Sequence, residues 1–157
     1  MRTIGIAALL TGGLGVAYVL LKASSLVVFR SKALLEFVLL VRNSVENYSM
    51  SVSEILNSVP NTLMRDCGYS EEHDKPNSLS SFFEHSDIKD LRIKAIVSEF
   101  SREFGKSYRS RQSELCGICV ERLRLRIGEL EREMPQRRKM IISVCIACAL
   151  ILVLLLL

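Results

Sequence analysis

Two uninterrupted apolar runs bracket a chain whose interior alternates apolar and polar positions at helical spacing. The first run covers residues 3–21 and the second residues 140–157; neither holds a charged residue. A bilayer core of about 30 Å takes roughly 20 apolar residues in a helix, with about 17 as the working minimum. Both runs meet that length, so each predicts a transmembrane helix. Gly12, Gly13 and Gly15 weaken the first run as a helix, yet small residues are common where membrane helices approach closely. A cleaved secretory signal is the alternative for this run, supported by Arg2 at its start and Ala23-Ser24-Ser25 after it. The single basic residue, the following Lys22 and the lack of an A-x-A site favour an uncleaved anchor. The second run is plainer, with seven Leu or Ile in its last eight residues.

Inside these runs, Leu26, Val27, Leu34, Phe37, Val38, Val41 and Val45 recur at helical spacing, so the first run continues into an amphipathic helix. Ser51 with Glu54 three residues on predicts a capping box opening a short helix through Ile55 and Leu56, which Pro60 ends. Residues 66–80 carry Gly, Pro, Ser and four acidic side chains with no apolar period, and predict an exposed loop containing Cys67. A short helix through Leu79 and a buried Phe82-Phe83 pair follows. A longer one then spans residues 88–104, with Leu91, Ala95, Ile96, Phe100 and Phe104 along its face. Gly105 suits a C-cap and Ser107 a helix start. Beyond it, Cys116, Val120, Leu123, Ile127, Leu130 and Met134 are spaced 4, 3, 4, 3, 4, a heptad seam. Arg122, Arg124, Glu131 and Arg132 fall off that seam, and Pro135 predicts an interruption before the second apolar run. No segment has strand character. The expected fold is all-α: a small antiparallel helical bundle over residues 22–139, flanked by N- and C-terminal transmembrane helices.

The length of 157 residues suits one domain. Residues 22–139 hold 20 of the 21 Lys and Arg and all 17 Asp and Glu. Their mixed signs argue against a nucleic-acid surface. Low aromatic content, the absence of Trp and scattered glycines exclude collagen-like and propeller architectures. Lys22, Arg30 and Lys32 follow the first run, and Arg137-Arg138-Lys139 precede the second. The positive-inside rule therefore expects residues 22–139 in the cytoplasm.

Candidate chemistry is sparse. Cys116-Gly-Ile-Cys119 has thiol-oxidoreductase spacing, but those motifs follow a strand, and here the pair lies within a heptad helix. Packing is the better reading. Cys145-Ile-Ala-Cys148 completes a four-thiolate zinc set on paper only, because it sits in the second apolar run. His73, His85 and Asp87 have no motif spacing and read as solvated polar residues. No phosphate-binding glycine loop, G-x-S-x-G or H-E-x-x-H occurs. The expectation is a non-enzyme with no catalytic, cofactor-binding or metal residues and no cofactor.

The arrangement resembles stage III sporulation protein AB of endospore-forming bacteria over nearly its whole length. The most specific part is Glu103-Phe104-Gly105-Lys106-Ser107 with Gln112 downstream, similar to that family's hydrophobic-Gly-x-Ser turn. Ile4-Gly5, the basic helix through Arg30 and Phe37, and residues 48–56 add weaker likeness. The resemblance implies a domain like the cytoplasmic domains of the F platform protein of type II secretion systems. It further implies a two-span cell-membrane protein, its domain on the mother-cell side, in the channel or secretion-like complex that links mother cell and forespore. Implied partners are the other stage III sporulation A membrane proteins, the AA ATPase and the membrane, with self-association open. The competing expectations are a membrane-tethered thiol oxidoreductase using Cys116 and Cys119, and a generic membrane adaptor.

Overall fold

The structure, a computed structural model, describes residues 2–48, 50–70, 75–104, 106 and 109–156, with side chains described in these except at 2–11, 14, 109, 153, 155 and 156. The expected turn residues Gly105, Ser107 and Tyr108, the loop histidine His73, and the side chains of half the first apolar run lie outside that set. Among the described residues the fold is all-helical, with one isolated antiparallel bridge, Tyr69 to Ser86, and no strand.

The helices are α1 (Arg2–Asn43), α2 (Val52–Ser58), α3 (Asn61–Asp66), α4 (Leu79–Glu84), α5 (Leu91–Phe104) and α6 (Arg109–Leu156), with a π-helical turn at Ser44–Tyr48 closing α1. They divide into two compact units. One joins Met1–Leu26 with Leu130–Leu157, and the other is Val27–Glu129. Among the described residues no helix is long and apolar enough to cross a membrane.

In the Val27–Glu129 unit, α1 supplies Ala33, Leu34, Phe37, Val38 and Val41, all buried, and Val45 of the π-turn continues the stripe. Leu26 is exposed and Val27 half-buried, so the buried face starts later than the apolar spacing suggests. Phe37 stacks on Phe82 of α4 at 4.4 Å between ring centroids, and Phe83 meets Phe37 edge-on at 5.8 Å. Tyr69 also stacks on Phe82, at 5.4 Å. Such aromatic pairs add about 0.5–1.5 kcal/mol each beyond their burial. The expected burial of Phe82 and Phe83 holds.

Local rules fix the small helices. Ser51 Oγ accepts from the Glu54 amide, and the Glu54 carboxylate accepts from the Ser51 amide at 2.7 Å, which is the expected capping box. The Ser51 amide first, and the Ser51 hydroxyl second, donate to the Glu54 carboxylate and hold its carboxyl below the ordinary range. Pro60 does more than end α2. It sits at the N-cap of α3, a helix the sequence pattern did not announce.

The expected exposed loop is the largest departure. Cys67 is fully buried, and Tyr69 and Pro76 are buried as well. The chain turns inward at Gly68, whose φ of 89° is a left-handed conformation that favours glycine. Its carbonyl accepts from the Asp87 amide at 3.0 Å. An apolar period could not reveal this segment, because backbone pairing and three isolated side chains hold it.

The expected apolar face of α5 also needs correction. Leu91 is 81% exposed and Ala95 is exposed, while Ile93, Val97, Phe100 and Phe104 are buried. At about 100° per residue these four fall within about 60° of one another, whereas Leu91 and Ala95 lie on the opposite side. On α6 the heptad seam is buried at Cys116, Val120, Leu123, Ile127 and Leu130, joined by Leu115 and Cys119. The helix does not end at Pro135, where an interruption was expected; α6 continues through it to Leu156. Proline's fixed φ suits a helix, while its ring removes one backbone hydrogen bond and presses on the carbonyl four residues back, which bends a helix without necessarily ending it.

Candidate interaction surface

Helices α5 and α6 run antiparallel, and their ion pairs show the register. Arg92 meets Glu129 at 3.3 Å and Glu99 meets Arg122 at 2.7 Å, so seven residues forward on α5 match seven back on α6. Exposed pairs of this kind contribute about 0–1 kcal/mol each and chiefly fix alignment. One pair differs. Arg126 holds Asp90 at 2.8 Å with both side chains nearly buried, and a second arm of Arg126 reaches Glu129 at 2.7 Å. Asp90 Oδ1 also accepts from the backbone amides of Arg92 and Ile93, each at 3.0 Å, so it caps the start of α5. Burial alone would raise the Asp90 pKa, but hydrogen bonds from Arg126 and the two amides bring it below the ordinary value. Its hydrogen bond to Asp90 first, and that to Glu129 second, raise the pKa of Arg126. An Asp directly before an apolar-periodic run is a helix-start signal that the sequence carried.

The turn joining α5 to α6 is closed from downstream. Gln112 Nε2 donates to the Phe104 carbonyl at 3.1 Å, satisfying a group at the C-terminus of α5. This residue was singled out by its place in the resemblance, and its position explains why a Gln suits it. Gln112→Ala should lower stability by about 1 kcal/mol, the value of one such hydrogen bond. A urea midpoint unchanged from wild type would refute that role.

Beside this turn a cleft of about 200 Å³ opens between α5 and α6, lined by Ile96, Phe100, Leu115, Ile118 and Cys119, with Glu99, Glu103, Arg111 and Arg122 around it. Small-molecule sites usually measure about 300–1,000 Å³, so this cleft is sized for a side chain rather than a cofactor. Ile118 is 41% exposed at its edge and Leu125, two turns along α6, is 63% exposed. A surface of this character suits protein contact.

Cys67, Cys116 and Cys119 behave as packing residues, whereas Cys145 is half-buried and Cys148 exposed. Cys116 and Cys119 are buried, and burial is the main cause that pushes both thiols up to about 12. Cys67 is pushed higher still, again chiefly by burial. A thiol oxidoreductase needs the opposite, a depressed pKa that yields thiolate at neutral pH. The folded chain therefore keeps protons that the unfolded chain loses near about pH 8.5. Stability from these thiols is full below that pH and declines as pH rises toward 12. Iodoacetamide at pH 8 should leave Cys116 and Cys119 unmodified until the chain unfolds. Their replacement by Ala should cost about 1 kcal/mol each and should flatten the alkaline decline of the thermal midpoint. Rapid labelling of native Cys116 would reverse the packing assignment.

Asp87 is exposed, as expected of a solvated residue, and is also tied down: Lys89 Nζ lies 2.7 Å away, and Arg30 bridges from α1 to both its carboxylate and its carbonyl. Lys89 first and Arg30 second hold its carboxyl below the ordinary range. His85 remains exposed, its Nδ1 2.8 Å from the Ser81 carbonyl. At the C-terminal end of α1, Glu46 accepts from Arg42 Nε at 2.8 Å and from the Ser113 hydroxyl, linking the π-turn to α6. Those bonds lower the Glu46 carboxyl, that from Ser113 most. Among the described residues no group of three His, Cys, Asp or Glu is arranged to hold a metal ion.

No curated protein and no solved structure matches the chain. A family model does, over residues 3–157, and its span takes in the helical domain and both apolar ends. On that match the chain belongs to the stage III sporulation protein AB family.

Proposed function

We propose that the chain is a non-enzymatic membrane component of the stage III sporulation complex, serving as platform or adaptor for a secretion-type ATPase. The observation that carries this reading is the family match across residues 3–157. A domain whose helix–helix faces are zipped by ion pairs, with buried, protonated thiols and an apolar-floored cleft, suits an assembly role. The chain lies in the cell membrane through residues 3–21 and 140–157, with the domain between them on the mother-cell cytoplasmic side. Support for the membrane part comes from the uncharged sequence of both runs and the basic residues beside them. The grouping of the two chain ends in one compact unit fits a helical hairpin.

The test has two parts. Affinity purification of the tagged chain from sporulating-cell membranes should recover the AA ATPase, and Ile118→Glu at the cleft edge should reduce recovery without reducing the chain's abundance. Loss of the ATPase from a well-expressed wild-type preparation would remove the adaptor role. A reporter inserted at Ser70 should show cytoplasmic activity; activity only outside the membrane would reverse the topology.

A further inference from the structure

The charge of this protein is divided in a way that its overall value conceals. The unit Val27–Glu129 holds fifteen Lys and Arg against fifteen Asp and Glu, and is formally neutral. The unit of Met1–Leu26 and Leu130–Leu157 holds six against two, and therefore carries the whole net charge of +4. Five of its six cations are Lys22, Arg132, Arg137, Arg138 and Lys139, all exposed. Arg137 donates to Glu133 at 2.9 Å, an exposed pair that water and salt weaken. Directly after Lys139 the surface turns apolar, with Met140 62%, Val144 55% and Ile146 54% exposed. A row of exposed large apolar side chains bordered by a cluster of cations matches a bilayer edge, where hydrocarbon gives way to headgroups.

We propose that this basic cluster binds the phosphate headgroups of anionic phospholipids. The proposal rests on the membrane reading above and names the partner of its basic edge. Arginine presents a planar fork of donors that pairs with phosphate oxygens bidentately, and three of the five exposed cations are Arg. Charge complementarity selects the lipid: a zwitterionic headgroup offers no net charge to balance the excess, whereas an anionic one does. The neutral domain adds no long-range attraction, so the preference resides in this cluster.

The full-length chain, reconstituted in vesicles of phosphatidylcholine mixed with phosphatidylglycerol and released into mild detergent, can be weighed intact with its retained lipids. Phosphatidylglycerol should be retained over phosphatidylcholine, and added salt should erode the preference. The combined variant Arg132→Gln, Arg137→Gln, Arg138→Gln, Lys139→Gln should lower that retention at least tenfold, given about fivefold per cation near an anionic surface. Unchanged helicity by circular dichroism shows the variant folded. Equal retention of the two lipids, or wild-type retention by the folded variant, overturns the proposal. So does displacement of the lipid by millimolar inorganic phosphate, which marks a free-anion site. A carbonate wash of the same vesicles reports the membrane reading separately. A chain stripped by the wash refutes membrane spanning, whichever lipid it prefers; a chain that resists it with no lipid preference refutes only the headgroup site.

Discussion

Asp90→Ala is expected to lower the stability of the domain by about 3 kcal/mol, because it breaks a nearly buried ion pair and removes a helix cap. Two losses combine. The Arg92 and Ile93 amides in the first turn of α5 lose the carboxylate oxygen that accepts from both at 3.0 Å. Arg126, with only 13% of its side chain exposed, loses the partner held at 2.8 Å and keeps Glu129 alone. For a domain near 100 residues that cost corresponds to a midpoint drop on the order of 15 °C. Asp90→Asn separates the two contributions, because Asn caps a helix nearly as well as Asp but carries no charge. It should recover part of the loss. The pH dependence follows from the lowered Asp90 pKa. The unfolded carboxyl takes up its proton near about pH 3.9, and the folded one does so lower. The pair's contribution is therefore intact above that pH and is lost as pH falls through the folded value. The acid limb of the wild type should be steeper than that of Asp90→Asn. Thermal unfolding of the full chain in detergent, followed by circular dichroism from neutral to acid pH, checks all three statements. An Asp90→Ala midpoint within a few degrees of wild type would mean that the α5–α6 contact is held by its apolar seam alone.

Gly68→Val should cost nearly as much. A Cβ at this position would stand 3.1 Å from the Asp87 backbone nitrogen and 3.4 Å from both the Asp87 carbonyl oxygen and Arg30 Nε. The nearest obstacle is backbone, which cannot swing aside, and φ of 89° is strained for any side chain. Strain of this kind costs about 1–3 kcal/mol, and β-branching puts Val at the upper end and Ala below it. The displaced backbone would also weaken the hydrogen bond from the Asp87 amide to the Gly68 carbonyl. Because Cys67 and Tyr69 flank this glycine and are buried, the substitution has a chemical readout besides stability. In the wild type Cys67 should resist a thiol reagent under native conditions; in Gly68→Ala it should react measurably faster. A Gly68→Val chain as stable and as unreactive as wild type would show that the turn can be rebuilt without its left-handed residue.

The sequence by itself determined a good deal. On two helices the spacing named the buried stripe: Phe37, Val38 and Val41 on α1, and Cys116, Val120, Leu123, Ile127 and Leu130 on α6, are buried as their periods required. The Ser51–Glu54 capping box was legible because both of its hydrogen bonds lie within four residues of chain. The family was legible too, through the α5–α6 turn and Gln112. The tertiary structure decided what depends on groups distant in sequence. Arg30 and Asp87 are separated by 57 positions, Asp90 and Arg126 by 36, and Glu46 and Ser113 by 67. No local rule links such pairs, since each member looks like an ordinary solvated charge or hydroxyl until the helices pack. The same holds for α5, where two overlapping apolar stripes were available and only the partner surfaces chose Ile93 and Val97 over Leu91 and Ala95. It holds for Cys67, buried inside a segment whose composition says loop, because what draws it inward is a glycine turn paired to backbone on the far side of α4. Periodicity records which face of a helix prefers to leave water; which neighbour receives that face, and which polar groups are carried in with it, is a property of the packed whole.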